Sequence, residues 1–153
     1  MFISLSLGTF PQEQGAVRLH TLLVLLGNIP SFILISDSKL HDIHVLDHLI
    51  YEPGSFYVKD RGLIDFSRLY HLHNAQAFFV IRVKKNLPYR RLYSHEINKE
   101  TGLRCDQSIV MTGANTQNSY PVPLRRVKFY DAEQNRLFVF LTNNFDLPGI
   151  TIT

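Results

Sequence analysis

SFYVKDRGLIDFSRLYHLHNAQAFFVIRVK, residues 55–84, decides how the chain is read. SFYVKD (55–60) has the aromatic and β-branched make-up of a short strand. DFSRLYHLHNA (65–75) changes to helical spacing, with Asp65 as N-cap and Phe66, Leu69, Tyr70 and Leu72 on the apolar side. AFFVIRVK (77–84) returns to strand composition. A carboxylate, Asp60, therefore stands at the tip of a strand with Arg61-Gly62 behind it. An Asp just before a Gly is a common turn former. It is also what a metal site at a strand end requires, so the rest of the chain has to decide between the two.

Upstream, MFISLSL (1–7) alternates as a half-buried strand does. AVRLHTLLVLL (16–26) and SFILIS (31–36) flank Gly27-Asn28-Ile29-Pro30 and read as a hairpin. Their near-continuous hydrophobicity predicts strands covered on both faces, in the centre of a sheet. SDSKLHDIHVLDHLI (36–50) reads as an amphipathic helix capped by Ser36 or Asp37, with Leu40, Ile43, Leu46 and Ile50 at helical spacing and Glu52-Pro53-Gly54 as the stop. The first half thus reads β-β-β-α-β-α-β. Downstream the texture changes near residues 86–90. RRLYSHEI, SIVMTG, RRVKFYDAE and RLFVFLTN are strand-like pieces separated by turns at Thr101-Gly102, Asn115-Thr116 and Glu133-Gln134-Asn135. Two stretches are expected: 1–86 as an α/β core and 87–153 as a β-rich segment.

At 153 residues, 45% hydrophobic and 19% charged, the chain has the size and composition of one globular domain. The apolar run 19–35 is interrupted by His20, Gly27, Asn28 and Pro30, so no membrane span or signal peptide is expected. Cys105 is the only cysteine. It permits no internal disulfide or Cys-based zinc site and suits a reducing compartment. His41, His44 and His48 share one helical stripe without a fourth ligand at a familiar spacing, which favours a polar helix face over a zinc site. His71 and His73 read as surface residues on different sides of their helix.

The net charge of +3 is unevenly spread. Residues 1–81 carry 5 basic and 7 acidic side chains, while residues 82–128 carry 10 basic and 3 acidic ones, net +7. The basic set is Arg82, Lys84, Lys85, Arg90, Arg91, Arg104, Arg125, Arg126 and Lys128, with Tyr89, Tyr93, Phe129 and Tyr130 interleaved. A solvated loop region would account for it. So would phosphate contact with a nucleic acid, sequence-independent and salt-sensitive.

Several stretches together resemble the DDE transposases of bacterial insertion sequences, of the insertion-sequence-four family. They are GAVRLHTLL (15–23), GNIPSFI (27–33), LHDIHVLD (40–47), PGSFYVKDRG (53–62), DFSRLYHLH (65–73), AFFVIRVK (77–84), RLYSHEINKETGLRCDQSIV (91–110) and LFVFLTNNFDLP (137–148). The resemblance implies an α/β, ribonuclease H-like core, here incomplete, followed by a β-rich insertion that helps to contact transposon ends. It implies two Mg²⁺ ions held by three carboxylates, of which Asp60 matches the second, with Leu63 where the family has Tyr. The first Asp in this chain, Asp37, comes after the third strand, and no Tyr is followed three residues later by Arg, as the pattern around the third carboxylate requires. The chain is therefore expected to be a fragment truncated at both ends and inactive in cutting or joining DNA. Its expected partners are transposon-end DNA and full-length transposase in the bacterial cytoplasm, with no membrane. The alternatives are a DNA-binding fragment that modulates full-length transposase and, further off, an active nuclease of the same fold.

Overall fold

A computed structural model describes residues 2–6, 17–24, 29–37, 47, 49–59, 61, 64–84 and 86–153. The chain forms two compact units, Met1–Ile50 and Tyr51–Thr153.

In the first unit, strands β1 (Phe2–Ser6), β2 (Val17–Val24) and β3 (Ile29–Asp37) form an antiparallel sheet of order β1-β2-β3. Leu19 pairs with Leu5 on one side and Ile35 on the other. Only β2 is central in this sheet. Pro30, expected in the turn, lies in β3 opposite Leu23, where the register of the pair shifts. Proline has no N–H to give a ladder, so it is tolerated at such an irregularity on an outer strand. Ser36 and Asp37, expected to cap a helix, instead pair with Arg18 and Val17. The strand composition of SFILIS carries the extended backbone two residues further than the capping pattern suggests. The remainder of that expected helix, residues 38–46 and 48, lies outside the described residues, and with it His41, His44 and His48.

The second unit is built on a six-stranded mixed sheet of order β4-β5-β9-β8-β7-β6. Its strands are β4 (Phe56–Lys59), β5 (Phe78–Arg82), β6 (Tyr89–Ser94), β7 (Leu103–Met111), β8 (Leu124–Asp131) and β9 (Arg136–Thr142). β4 and β5 are parallel, joined through helix α1 (Phe66–Asn74), and all other pairs are antiparallel. The strand–helix–strand reading of residues 55–84 is thus what forms. Asp65 caps α1 as its position suggested, accepting the Arg68 N–H at 3.1 Å. Leu69 and Leu72 are buried, each contributing about 2 kcal/mol by leaving water. Gln76, at φ 59°, turns the chain out of the helix.

The stretches 1–86 and 87–153 share this sheet, because Val80, Ile81 and Arg82 of β5 pair with Thr142, Leu141 and Phe140 of β9. The register sorts side chains into two faces. Ile81, Leu141 and Arg126 follow one another across one face, and Val80, Thr142 and Arg125 across the other. α1 packs on β5. A second helix, α2 (Ala114–Ser119), packs on α1 and β7. Tyr120, which follows it, is buried edge-on against Phe79 with ring centroids 6.2 Å apart. On the opposite face Leu103, Val127 and Ile152 form a cluster with Val80, Phe129, Phe140 and Leu147, closed by the short 3-10 turn Gly149–Ile152.

Candidate nucleic-acid interface

Parallel pairing brings the C-terminal ends of β4 and β5 to one end of the sheet, with Lys59 opposite Ile81. In open sheets with parallel strands, ligands bind at this end. Asp60, the expected catalytic and metal-binding residue, lies outside the described residues, as does Lys85. The neighbours of Asp60 are described. Arg61 is exposed and borders a cleft of about 640 Å³ that also takes in Arg82 and Lys84. Lys59 points inward and is only 5% exposed, and among the described residues its Nζ has no hydrogen-bond partner. The ammonium lies 5.3 Å from the centre of the Tyr51 ring. Burial, with a smaller push from the nearby Arg68 guanidinium, lowers its pKa to about 8.

The other basic residues separate into two groups. Arg90 and Arg91 are exposed on the outer strand β6, beside Tyr93, which is 61% exposed. Arg104 is exposed too, with its guanidinium 5.1 Å from the Tyr130 ring centre and Nη1 donating to the Lys99 carbonyl at 3.2 Å. Lys128 is half-buried on β8. Arg125 and Arg126 are buried and so stand apart from the exposed set. Arg125 donates from Nε and Nη2 to the two carboxylate oxygens of Asp106, at 2.9 and 2.6 Å, and from Nη1 to the Leu147 carbonyl at 2.6 Å. Its donors are used within the fold, so the phosphate contact expected of Arg125 gives way to a structural role. Arg126 lies 4.9 Å from the Tyr89 ring centre and donates to Cys105 Sγ and Gln107 Oε1 at 3.0 and 3.1 Å. Of the interleaved aromatics, Tyr89 and Tyr130 carry guanidinium planes on their rings, while Phe129 packs into the core cluster.

His73, read as a surface residue, is half-buried, with Nδ1 2.9 Å from the Tyr120 hydroxyl. Burial first, then the neighbouring Tyr70, pushes that hydroxyl's pKa up. Asn143 stands beside this pair. Its Oδ1 accepts the Phe79 N–H and its Nδ2 donates to the Ala77 carbonyl, both at 2.9 Å. No signal along the sequence joins residues 73, 120 and 143, whereas in space His73 Nδ1 lies 2.9 Å from the Tyr120 hydroxyl and 3.4 Å from Asn143 Nδ2.

Among the described residues no three or more His, Cys, Asp or Glu side chains gather where they could hold a metal ion. No helix among them is long and apolar enough to cross a membrane.

Over 129 residues the chain is 25% identical to a protein of Sinorhizobium fredii named "Putative transposase y4zB". A transposase relationship follows. The match covers 82% of this chain and 36% of the relative, so the chain spans about a third of that protein's length. No family model matches the chain, and no solved structure matches it.

Proposed function

We propose that this chain is part of a DNA transposase of the DDE type, contributing a ribonuclease H-like stretch with Asp60 as one Mg²⁺ ligand and a basic surface that binds transposon-end DNA in the bacterial cytoplasm. The observation that carries this reading is the identity with the Sinorhizobium protein over 129 residues. Two features of the fold agree with it. A three-stranded antiparallel meander and a parallel strand–helix–strand unit are pieces from which that architecture is assembled. Arg90, Arg91 and Arg104 are exposed next to Tyr93 and Tyr130, a mixture suited to phosphate and sugar contacts. The Mg²⁺ assignment rests on the resemblance around Asp60. With one carboxylate matching the triad pattern, the 153-residue chain alone binds DNA without cutting it; its partner in the reaction is full-length transposase.

The test uses the 153-residue chain and fluorescently labelled duplex DNA at low ionic strength. Arg90→Ala combined with Arg91→Ala should weaken binding evenly across sequences and flatten the salt dependence by about 2 in slope. Unchanged affinity and slope would remove the β6 surface from the account. Strand cleavage in Mn²⁺ that disappears in Asp60→Ala would overturn the assignment of inactivity.

A further inference from the structure

An irregularity in β6 decides which of its side chains share a face. In a regular strand Arg91 and Tyr93, two residues apart, would point the same way. Here the pairing with β7 shifts between Arg91 and Tyr93, and Leu92 is left without a partner in the ladder. Arg90 lies opposite Val110, Arg91 opposite Ile109 and Tyr93 opposite Ser108. Val110 and Ser108 point to one face of the sheet and Ile109 to the other. Arg90 and Tyr93 therefore stand on the same face, about 7 Å apart along the strand, and Arg91 turns away from them. A bulge of this kind disrupts the ladder and re-aims the side chain that follows it. The re-aimed ring is held without being buried. Tyr93 and His95 form a T-shaped pair with centroids 5.0 Å apart, and His95 Nε2 lies 2.9 Å from Ser108 Oγ. Tyr93 nevertheless stays 61% exposed. Asp106, the only acid in β7 and on that same face, has both oxygens taken by Arg125, and among the described residues Arg90 makes no ion pair.

We infer that the bulged face of β6 is a subsite for an unpaired DNA strand, in which a base stacks on the Tyr93 ring and Arg90 meets a neighbouring phosphate. DNA as the ligand rests on the transposase reading; the preference for an unpaired strand rests on the geometry. In a duplex the faces of each base are covered by its neighbours, so only base edges and backbone reach a protein. An unpaired base offers its face, and stacking on an aromatic ring tolerates any sequence. Arg90 supplies the charge for the phosphate beside that base, while Arg91 points away from the same nucleotide.

The test titrates the 153-residue chain with a labelled single-stranded oligothymidylate and, separately, with a labelled duplex, using circular dichroism to show that each variant is folded. Tyr93→Ala should lower single-strand affinity about tenfold and duplex affinity by less. Tyr93→Phe keeps the ring and should keep the parent's single-strand affinity. On the single strand the effects of Tyr93→Ala and Arg90→Ala should be non-additive, whereas those of Tyr93→Ala and Arg91→Ala should add. Unchanged single-strand affinity in Tyr93→Ala, or an equal loss on both DNAs, overturns the stacking subsite. Coupling of Tyr93 to Arg91 in place of Arg90 overturns the face assigned by the bulge. If Arg90→Ala/Arg91→Ala still weakens duplex binding, the transposase reading survives either failure. If neither DNA binds at low salt, that reading and the subsite fall together.

Discussion

Lys59 shows how a strand's alternation can place a charge where the composition gives no warning. Along β4 the side chains of Tyr57 and Lys59 turn inward and those of Phe56 and Val58 outward. The ammonium at the inward position has the Tyr51 ring beside it and no hydrogen-bond partner among the described residues. A cation over an aromatic face recovers only part of the lost hydration. With a pKa lowered to about 8 in the fold and the ordinary value of 10.5 when unfolded, Lys59 costs stability wherever both states are charged. Between these two values the unfolded chain holds the extra proton, so stability should rise as pH rises from about 8 to 10.5, by on the order of 2–3 kcal/mol. Lys59→Met should be more stable than the parent at pH 7 and should lack this rise. Urea unfolding at pH 7, 9 and 10.5 measures both, and a Lys59→Met protein less stable than the parent at pH 7 would show that the ammonium has a partner worth keeping. Arg125 and Arg126 illustrate the same limit on sequence reading. Adjacent in a strand, they point to opposite faces, one into a carboxylate and the other onto a tyrosine ring. Asp106 is nineteen residues from Arg125, and only the β7–β8 register reveals that they meet.

At the scale of elements, that ion pair ties β7 and β8 to the segment that covers one face of the sheet. Asp106 receives two charged hydrogen bonds from Arg125, which also holds the Leu147 carbonyl. A Cβ on Gly149 would lie 2.5 Å from Asp106 Oδ2, so the covering turn approaches as closely as a glycine allows. Removing one member of a buried pair strands the other's charge, at a cost of about 3–5 kcal/mol. Asp106→Ala should lose stability of that order and expose residues 144–153 to proteases, whereas Arg91→Ala should change stability by less than about 0.5 kcal/mol. Limited proteolysis with mass analysis checks the first, and chemical denaturation checks both. The strand–helix–strand unit of residues 55–84 was legible because capping and apolar spacing agree over its whole length. Helix α2 was not. Its sequence, ANTQNS, has no apolar periodicity, and the short helix docks through Tyr120 beyond its end, against Tyr70, His73 and Phe79. The start of β7 was also missed, because Arg104, Cys105 and Asp106 lack strand character until they pair with β8.

For the whole molecule, the segment with +7 charge provides both the middle of a sheet and its exposed outer strand. Composition reports the excess of cations and cannot divide them, whereas burial does: Arg125 and Arg126 are buried, and Arg90, Arg91 and Arg104 are exposed. Of the candidate site, the position of Asp60 after a strand parallel to β5 was readable from spacing. The cleft that Arg61 borders was not, because it draws on residues 61, 82, 84 and 136 at once. The transposase relationship and the cations left exposed meet in one claim, that this chain binds DNA through its phosphates. The most direct test is the DNA affinity of the 153-residue chain as a function of salt. Log K should fall linearly with log salt concentration, with a slope of about −2 to −4 for a few neutralised phosphates. Absence of binding at low ionic strength, or binding indifferent to salt, would contradict it.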